Sequence, residues 1–313
     1  MSAPLVETRV MARTTPQPGA VWPALPLPEW KDTYATLHMW SQIVGKVRLA
    51  LAPSLNHWWH VPLYLHERGL TTSAIPYGSR AFEIRFDFLD HRLVIETSTG
   101  DFRPMALEPR TVADFYKEFR EALDSLGIEV RIWKVPVEIP DPIPFDRDET
   151  HKSYDRDAVR RFWQILLRIV PIFEEFRGRF LGKSSPVHFF WGSFDLALTR
   201  FSGRLAPERP GADAMTREAY SHEVVSVGFW PGGGGVEGAA FYCYAVPEPE
   251  GFSSASIRPA GAGYHEGLHE FLLPYDDVRA NPSPREALLA FLQSGYEAGA
   301  SLGKWDRAAL ERR

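Results

Sequence analysis

Cysteine is nearly absent from this sequence, since Cys243 is the single one among 313 residues. One thiol can form neither an internal disulfide framework nor a cysteine-rich zinc site. Such a composition is typical of proteins from a reducing compartment. We therefore expect a cytoplasmic protein in which Cys243 is a small buried side chain.

Long apolar runs are missing as well. Residues 1–20 lack the roughly seven consecutive apolar residues of a signal-peptide core. No later stretch approaches the roughly 18 apolar residues that a membrane-spanning helix needs. These absences predict a protein that is neither exported through a signal peptide nor inserted in a membrane, with a flexible tail over residues 1–20.

Positive charge is not in excess, because 40 acidic residues outnumber 35 basic ones and the formal net charge is −5. Proteins that bind nucleic acid carry basic patches that neutralise phosphates. We therefore expect no nucleic acid among the partners.

Several familiar site signatures are also lacking. The glycines of residues 232–235 are not followed by the Lys-Ser/Thr pair of a phosphate-binding loop, so they predict a hairpin turn. The nucleophile motif G-x-S-x-G does not occur, which disfavours a serine hydrolase that would use Ser193 or Ser221. Asp146, Asp148 and neighbouring acids lack the glycine and terminal glutamate of a calcium-binding EF-hand loop and predict a solvated linker.

Aromatic residues, by contrast, are abundant: 10 Trp, 11 Tyr and 20 Phe make up 13% of the chain. Rings in this number fill cores or line concave pockets, and composition alone does not separate the two uses. A hydrophobic fraction of 44% with 24% charged residues is typical of a globular chain. The length fits one large domain or two packed halves.

Residues 21–134 have the pattern of an α+β half. Apolar residues three and four positions apart predict a long helix over 29–51, and alternation over 82–97 predicts a hairpin with one wet face. Further strands at 57–65, 70–75 and 102–107 would complete an antiparallel sheet of about five strands. A helix over 111–126, capped by Thr111, closes the half.

A Pro-rich linker over residues 135–153 separates this half from a second one at 154–313. The second half has the same order of elements. A long helix is predicted at 155–177, with strands at 187–199, 222–230, 239–246 and 269–273. The closing helix begins at a capping box, in which Ser283 precedes Glu286 by three residues, and ends at Gly303.

The repeated order predicts two related halves and an internal duplication. His57 is followed by two tryptophans, as His188 is followed by two phenylalanines, and residues 121–127 match residues 297–303 at five positions. If the halves pack about a pseudo-twofold axis, His57 and His188 approach one shared cleft, which is a common place for ligand sites.

Five segments are distinctive in composition and spacing. They are WPALPL at 22–27, NHWWH at 56–60, PVHFFWGSFDLALTR at 186–200, YSHE at 220–223 and FWPGG at 229–233. On these segments the chain after residue 20 resembles a bacterial family that is known only as a domain of unknown function. The resemblance implies no activity, so the candidate site residues depend on their own chemistry.

Four polar residues on neighbouring predicted strands are our candidate catalytic groups. They are His188, Asp195, His222 and Glu223. Their nitrogen and oxygen atoms suit a divalent metal or a proton relay. His222 and Glu223 are adjacent in a strand, so they are expected on opposite faces.

Asp195 shares a predicted strand face with aromatic residues. A carboxylate in such surroundings needs a partner or has a perturbed pKa. Arg200 or Arg204 would make it an ordinary ion pair, and without them it would be a general acid-base or ligand-anchoring group.

The candidate ligand-binding residues are His57, His60, Trp191, Tyr220 and Trp230. At the start of a strand the two histidines would point to opposite faces and could not chelate one metal unless the chain turns there. The simpler interpretation places one histidine in the core and the other on the surface.

The sequence therefore leaves two hypotheses. The first is a small-molecule-binding protein or enzyme with an aromatic-lined pocket that carries His and Asp groups, with or without a divalent metal. The second is a non-catalytic structural or protein-interaction protein, in which the rings form the core and backbone carbonyls satisfy the histidines.

Overall fold

The computed structural model of the protein describes residues 22–233 and 235–312. Its helices and two antiparallel sheets give the predicted α+β fold. The tail predicted over residues 1–20 lies outside the described residues. Within them, no helix combines the length and the apolar character that crossing a bilayer requires.

The first half consists of a six-stranded antiparallel sheet with two helices. Its elements are α1 (Leu27–Leu51), β1 (Tyr64–His66), β2 (Gly69–Thr71), β3 (Ile75–Tyr77), β4 (Arg80–Asp87), β5 (Arg92–Thr97), β6 (Phe102–Ala106) and α2 (Val112–Ser125). The strands β2 and β3 both pair with β4, and β5 pairs with it on the other side. The Thr111 hydroxyl accepts a hydrogen bond from the Asp114 N–H at 3.0 Å, which confirms the predicted cap.

The Pro-rich segment after α2 runs along α1 without forming a strand among its described residues and contains a 3₁₀ helix at Phe145–Arg147. Gln42 on α1 binds both backbone groups of Val137, donating to its carbonyl and accepting from its N–H at 2.8 Å each. Lys46 donates to the Val135 carbonyl at 2.7 Å. These buried polar side chains of α1 therefore fix the path of the linker.

The second half is also a six-stranded antiparallel sheet, in the order β11-β12-β10-β9-β8-β7. Its elements are α3 (Arg156–Gly178), β7 (His188–Phe190), β8 (Asp195–Leu205), α4 (Ala214–Ala219), β9 (His222–Trp230), β10 (Ala240–Val246), β11 (Gly263–His265), β12 (Glu270–Pro274), α5 (Tyr275–Ala280), α6 (Pro284–Leu302) and α7 (Arg307–Leu310), with a 3₁₀ helix at Phe252–Ser254. The helix α3 continues through Pro171 without a break.

One face of the second sheet packs against helices and forms core. Cys243 on β10 is fully buried there, as predicted. A Cβ atom placed on Gly295 of α6 would lie 2.5 Å from the Cys243 sulfur, so the glycine lets helix and strand approach closely. The opposite face of this sheet is polar.

The two halves meet edge to edge. Leu63, just before β1, and Phe189 of β7 exchange both backbone hydrogen bonds at 2.8 Å. The polar face of the second sheet is therefore next to the chain segment that enters the first sheet.

Three local predictions were wrong. Residues 187–199 are not one strand, because a turn at 191–194 separates β7 from β8 and Phe194 has a φ of 57°. His57 does not begin a strand, because it lies in a 3₁₀ helix (Asn56–Trp58) with a φ of 56°. The Ser283 side chain makes no capping hydrogen bond.

As a consequence, His57 and His188 do not occupy equivalent strand positions. The order of long helix, antiparallel sheet and closing helix occurs in both halves. A common origin of the halves stays a prediction.

Candidate functional site

A cavity of about 460 Å³ lies on the polar face of the second sheet. Strands β7 to β10 form its floor. It is covered by the segment around His57, by the linker at Val137 and by α4. An adjoining space of about 650 Å³ extends toward α1. The two spaces, together called the central cavity below, share Glu138, Gly192, Ser193, Asp195, Tyr220, Tyr242 and Tyr244.

Asp195 is the first residue of β8 and lies in the floor of the cavity, where it is 7% exposed. Ser193 donates a hydrogen bond to one carboxylate oxygen, and the Tyr242 hydroxyl donates to the other at 2.5 Å. Burial raises the pKa of Asp195 despite these two donors. This carboxyl group therefore has hydroxyl partners and no cationic one among the described residues.

Of the two alternatives for Asp195, the ordinary ion pair with Arg200 or Arg204 is not formed. Arg200 points to the opposite face of β8, where its guanidinium lies 3.4 Å from the Phe176 ring centroid and donates to the Phe176 carbonyl. Arg204 lies near the exposed end of β8 and binds Glu223 at 2.6 Å. Arg200 lies five residues from Asp195, an odd spacing that puts the two side chains on opposite faces of a regular strand. A register shift between Phe201 and Leu205 separates Arg204 from the regular part of β8.

Gly228 allows Tyr242 to reach Asp195. It lies opposite Tyr242 in the pairing of β9 with β10 and opposite Ala197 in the pairing with β8. A Cβ atom at Gly228 would lie 2.1 Å from the Tyr242 ring. The ring therefore crosses β9 at the position that has no side chain, and its hydroxyl ends at a residue two strands away.

Two glutamates join Asp195 in the central cavity. Glu138 belongs to the linker and has a φ of 57°. Its Oε1 atom lies close to Gly192, because a Cβ atom placed on Gly192 would be 2.5 Å from this oxygen. Glu270 begins β12. Burial, with a smaller contribution from the negative charge of Asp195, raises the pKa of both glutamates, and that of Glu270 reaches about 7.

Two buried histidines near this acidic group are neutral. His188 lines the cavity, is 1% exposed, and has a pKa that burial lowers to about 3. Its Nδ1 atom has no hydrogen-bond partner among the described residues. His38 donates from Nε2 to the Gly192 carbonyl at 2.7 Å, and burial lowers its pKa to about 4.

His57 holds the cover of the cavity in place. Its Nδ1–H donates to the carbonyls of Glu218 and Ala219 at the end of α4, at 3.2 Å each. Its Nε2 accepts from the Lys183 ammonium at 2.7 Å. Burial and the positive charge of Lys183 lower the pKa of His57, so the neutral ring joins α4 to the first half.

Hydroxyl groups and rings line the rest of the cavity. The Tyr220 and Tyr244 hydroxyls are hydrogen bonded at 2.9 Å. Trp191 packs against Gly45 of α1 and donates to the Val61 carbonyl at 2.8 Å. Trp230 lies in the part of the cavity near α1. Thus Trp191, Tyr220 and Trp230 lie where a ligand would contact them.

Three of the sequence candidates do not line the cavity. The His60 Nδ1 atom accepts from the Leu55 N–H at 3.1 Å. The His222 Nδ1 atom lies 3.0 Å from the Ser221 hydroxyl, and its ring centroid is 5.6 Å from that of His57, behind the wall of the cavity. Glu223 forms its ion pair with Arg204. The structure therefore brings together His57, His188 and Asp195 but not His60, His222 or Glu223.

No group of three or more His, Cys, Asp or Glu side chains in residues 22–233 and 235–312 is arranged to hold a metal ion. The sequence does contain H-E-x-x-H at residues 265–269, a spacing that binds zinc on a helix. Here it lies in the turn between β11 and β12, where the His265 ring accepts from the Leu268 N–H at 3.2 Å.

Sequence reasoning missed Glu138, Glu270, Tyr242 and Tyr244. A signal existed for the tyrosines, because they alternate with the core residues Phe241 and Cys243 along one strand and so mark a polar face. The glutamates had no such signal. Their position depends on the linker path along α1 and on the sheet order.

The comparisons with known proteins agree with the resemblance seen in the sequence. Residues 22–312 match the model of a family described as a family of unknown function, DUF5996. Neither the curated proteins nor the solved structures give a match. Because the family model covers nearly the whole chain, the protein belongs to this family of unknown function.

Proposed function

We propose that this protein binds a small organic molecule in the central cavity and that Asp195 contacts a polar group of that molecule. The observation that carries the proposal is the state of Asp195. A buried carboxylate in a purely structural role is usually paired with a cation. Asp195 instead borders an open volume and has only hydroxyl partners.

The position of the cavity supports the same proposal. Ligand sites collect where domains or halves of a protein meet, in concave spaces lined by rings with a few polar groups. The central cavity is bounded by both halves and by the linker. We expect a cytoplasmic ligand, because the single free thiol, Cys243, is typical of a reducing compartment.

Proton transfer to a bound molecule is a second candidate function. It is favoured by the raised pKa of Asp195 and by the pKa of about 7 of Glu270, since acid-base groups work best when their pKa is near the working pH. An enzyme of this kind would use the same site.

The test is a thermal-shift screen of the full chain against a library of small polar and aromatic metabolites. At least one compound is expected to raise the melting temperature of the wild type and to have a much smaller effect on Asp195→Asn. The matched control is Tyr264→Phe, which removes a surface hydroxyl that is bonded to Glu248 at 2.7 Å. Compounds that stabilise wild type and Asp195→Asn equally would argue against the cavity as the site.

A further inference from the structure

We propose that the ligand of the central cavity is an organic cation, a protonated or quaternary amine, held by Asp195, Glu138 and Glu270 and by the faces of the neighbouring tyrosine rings. This inference rests on the proposed function and specifies the chemistry of its ligand.

The cavity wall is rich in acidic side chains. Among the described residues that line the cavity, four are carboxylates and none is Lys or Arg. One of the four, Asp213, caps α4 by accepting from the Thr216 N–H at 2.9 Å. Asp195, Glu138 and Glu270 have no salt bridge within the described part of the chain. The described residues therefore supply no counter-ion for these three carboxyl groups.

The histidines do not supply the missing positive charge. His38, His57 and His188 are neutral, because burial lowers their pKa values. His151 also lines the cavity, but it is bonded to Asp148 at 2.7 Å, which raises the pKa of His151 and neutralises its charge locally. An anionic ligand would therefore find no free cation in this wall.

Asp195 repels both glutamates of the cavity. Burial raises the pKa of Glu138 and of Glu270 and the negative charge of Asp195 contributes to both shifts, so Asp195 is near enough to each glutamate to oppose its ionisation. A cation between them would favour the ionised form of each group. Binding of such a ligand would thus relieve an unfavourable interaction that is present in the empty protein.

His188 points to a ligand independently of the acidic cluster. Its imidazole is 1% exposed, lines the cavity and has an Nδ1 atom without a partner. Leaving a buried polar atom without a partner costs about 1–3 kcal/mol. A ligand that forms a hydrogen bond with Nδ1 would remove this cost.

The rings complete a site for a cation. Tyr242 and Tyr244 lie face to face, with ring centroids 5.9 Å apart, and Tyr220 is bonded to Tyr244. Tyr34 and Trp230 line the side near α1. Electron-rich ring faces attract ammonium groups, and carboxylates at the edge of an aromatic cage strengthen that attraction. A metal ion is disfavoured, because the described residues hold no cluster of three ligating side chains.

The experiment compares three probes of similar shape: the cation phenethylamine, the neutral 2-phenylethanol and the anion phenylacetate. A fourth probe, benzyltrimethylammonium, is a quaternary cation. Binding to the full chain is measured by calorimetry at pH 8. Both cations are expected to bind, and Glu138→Gln and Glu270→Gln are each expected to weaken binding roughly tenfold. Glu96→Gln, an exposed carboxylate of the first sheet, is the matched control and should change nothing.

Benzyltrimethylammonium also gives a pH test, because it does not titrate itself. Its affinity is expected to rise from pH 5 to pH 8 as the cavity carboxyls ionise, and the rise should be smaller in Glu270→Gln. Tighter binding of 2-phenylethanol or phenylacetate than of the cations would overturn the cation proposal. If Asp195→Asn abolishes that binding, the central cavity is still the binding site and the proposed function stands. Binding of manganese or zinc chloride that depends on the same carboxyls would also overturn it. If the binding of none of these probes depends on Asp195, the proposed function fails too.

Discussion

Each half of the molecule contains a buried aspartate at the end of a strand, and the two have opposite surroundings. Asp87 ends β4 and accepts from Arg68 at 2.8 Å and from the backbone N–H groups of Leu89 and Asp90. Burial alone would raise the pKa of Asp87, but Arg68 and these donors lower it. Asp195 begins β8, has only hydroxyl partners, and has a raised pKa.

The polar faces of the two sheets differ in the same way. On the first sheet Arg85 lies between Glu83 and Glu96, 3.8 Å and 3.9 Å from their carboxylates, and these charges neutralise one another in contact with water. In the cavity on the second sheet, Asp195 and Glu270 lie under a cover and have no cationic partner among the described residues. A self-neutralised face needs no further partner, whereas the face in the cavity is suited to a partner from outside.

The comparison is tested most strongly by removing each aspartate charge. Asp87→Asn breaks an ion pair with Arg68 and weakens two backbone hydrogen bonds, so we expect a loss of about 3 kcal/mol in the free energy of unfolding. Asp195→Asn keeps a polar group of the same size and removes repulsion, so its change should stay within about 1 kcal/mol. Urea unfolding at pH 7 measures both. Equal losses would mean that both aspartates are structural.

A methyl group at Gly228 tests the path by which Tyr242 reaches Asp195. Gly228→Ala should displace the Tyr242 ring and cost about 2 kcal/mol, because the new atom would also lie 2.4 Å from the Leu196 carbonyl oxygen. Gly238→Ala is the control, since a Cβ there meets nothing within 4 Å. A loss of stability that is the same in both variants would show that the close approach of Tyr242 does not matter. Urea unfolding again provides the measurement.

The pH dependence of the free energy of unfolding should also differ between the two halves, although by a smaller amount. Glu270 ionises near pH 4.5 in the unfolded chain and near pH 7 in the folded one. Between these values the unfolded state has lost the proton that the folded state keeps, so this group lowers stability as pH rises. Glu270→Gln should therefore flatten the decline between pH 5 and pH 7 and be more stable than wild type at pH 8. Asp87 acts oppositely: with its lowered pKa it stabilises above pH 3.8, and that contribution is lost on acidification.

Unfolding curves at pH 5, 6, 7 and 8 for wild type, Glu270→Gln and the surface control Glu96→Gln would measure this slope. A decline that is as steep in Glu270→Gln as in wild type would contradict the raised pKa.

Local patterns predicted the framework well. The spacing of apolar residues placed the long helix at 29–51, close to Leu27–Leu51, and alternation placed a hairpin over 82–97, which is formed by β4 and β5. These signals are strong because each element buries one regular face. The fold class follows from their order.

The turn at 191–194 escaped prediction, because Trp191 and Phe194 continue the aromatic pattern of a strand. Only the backbone marks the turn, through the positive φ of Phe194. The site itself depends on such details. Asp195 meets Tyr242 because Gly228 leaves room between them, and Glu138 enters the cavity because Gln42 binds the backbone of Val137. These are contacts between residues distant in sequence, and no local pattern encodes them.

The smallest effect is expected at α4, which covers the cavity on the second sheet. The helix α4 has six residues and buries none of them, so it depends on the His57 Nδ1–H for attachment. The amide nitrogen of asparagine can take the place of Nδ1, and asparagine tolerates the positive φ of this position. In glutamine the amide lies nearer the Nε2 position, so it should not reach the α4 carbonyls.

We therefore expect His57→Gln to open α4 locally, by about 1 kcal/mol, and to increase tryptic cleavage after Arg217 about fivefold. His57→Asn should restore most of the protection, and global unfolding should change little in either variant. Hydrogen exchange of residues 213–219 and the cleavage rate together measure the opening. Equal protection in the two variants would show that packing of the α4 side chains, rather than the His57 hydrogen bonds, keeps the cavity covered.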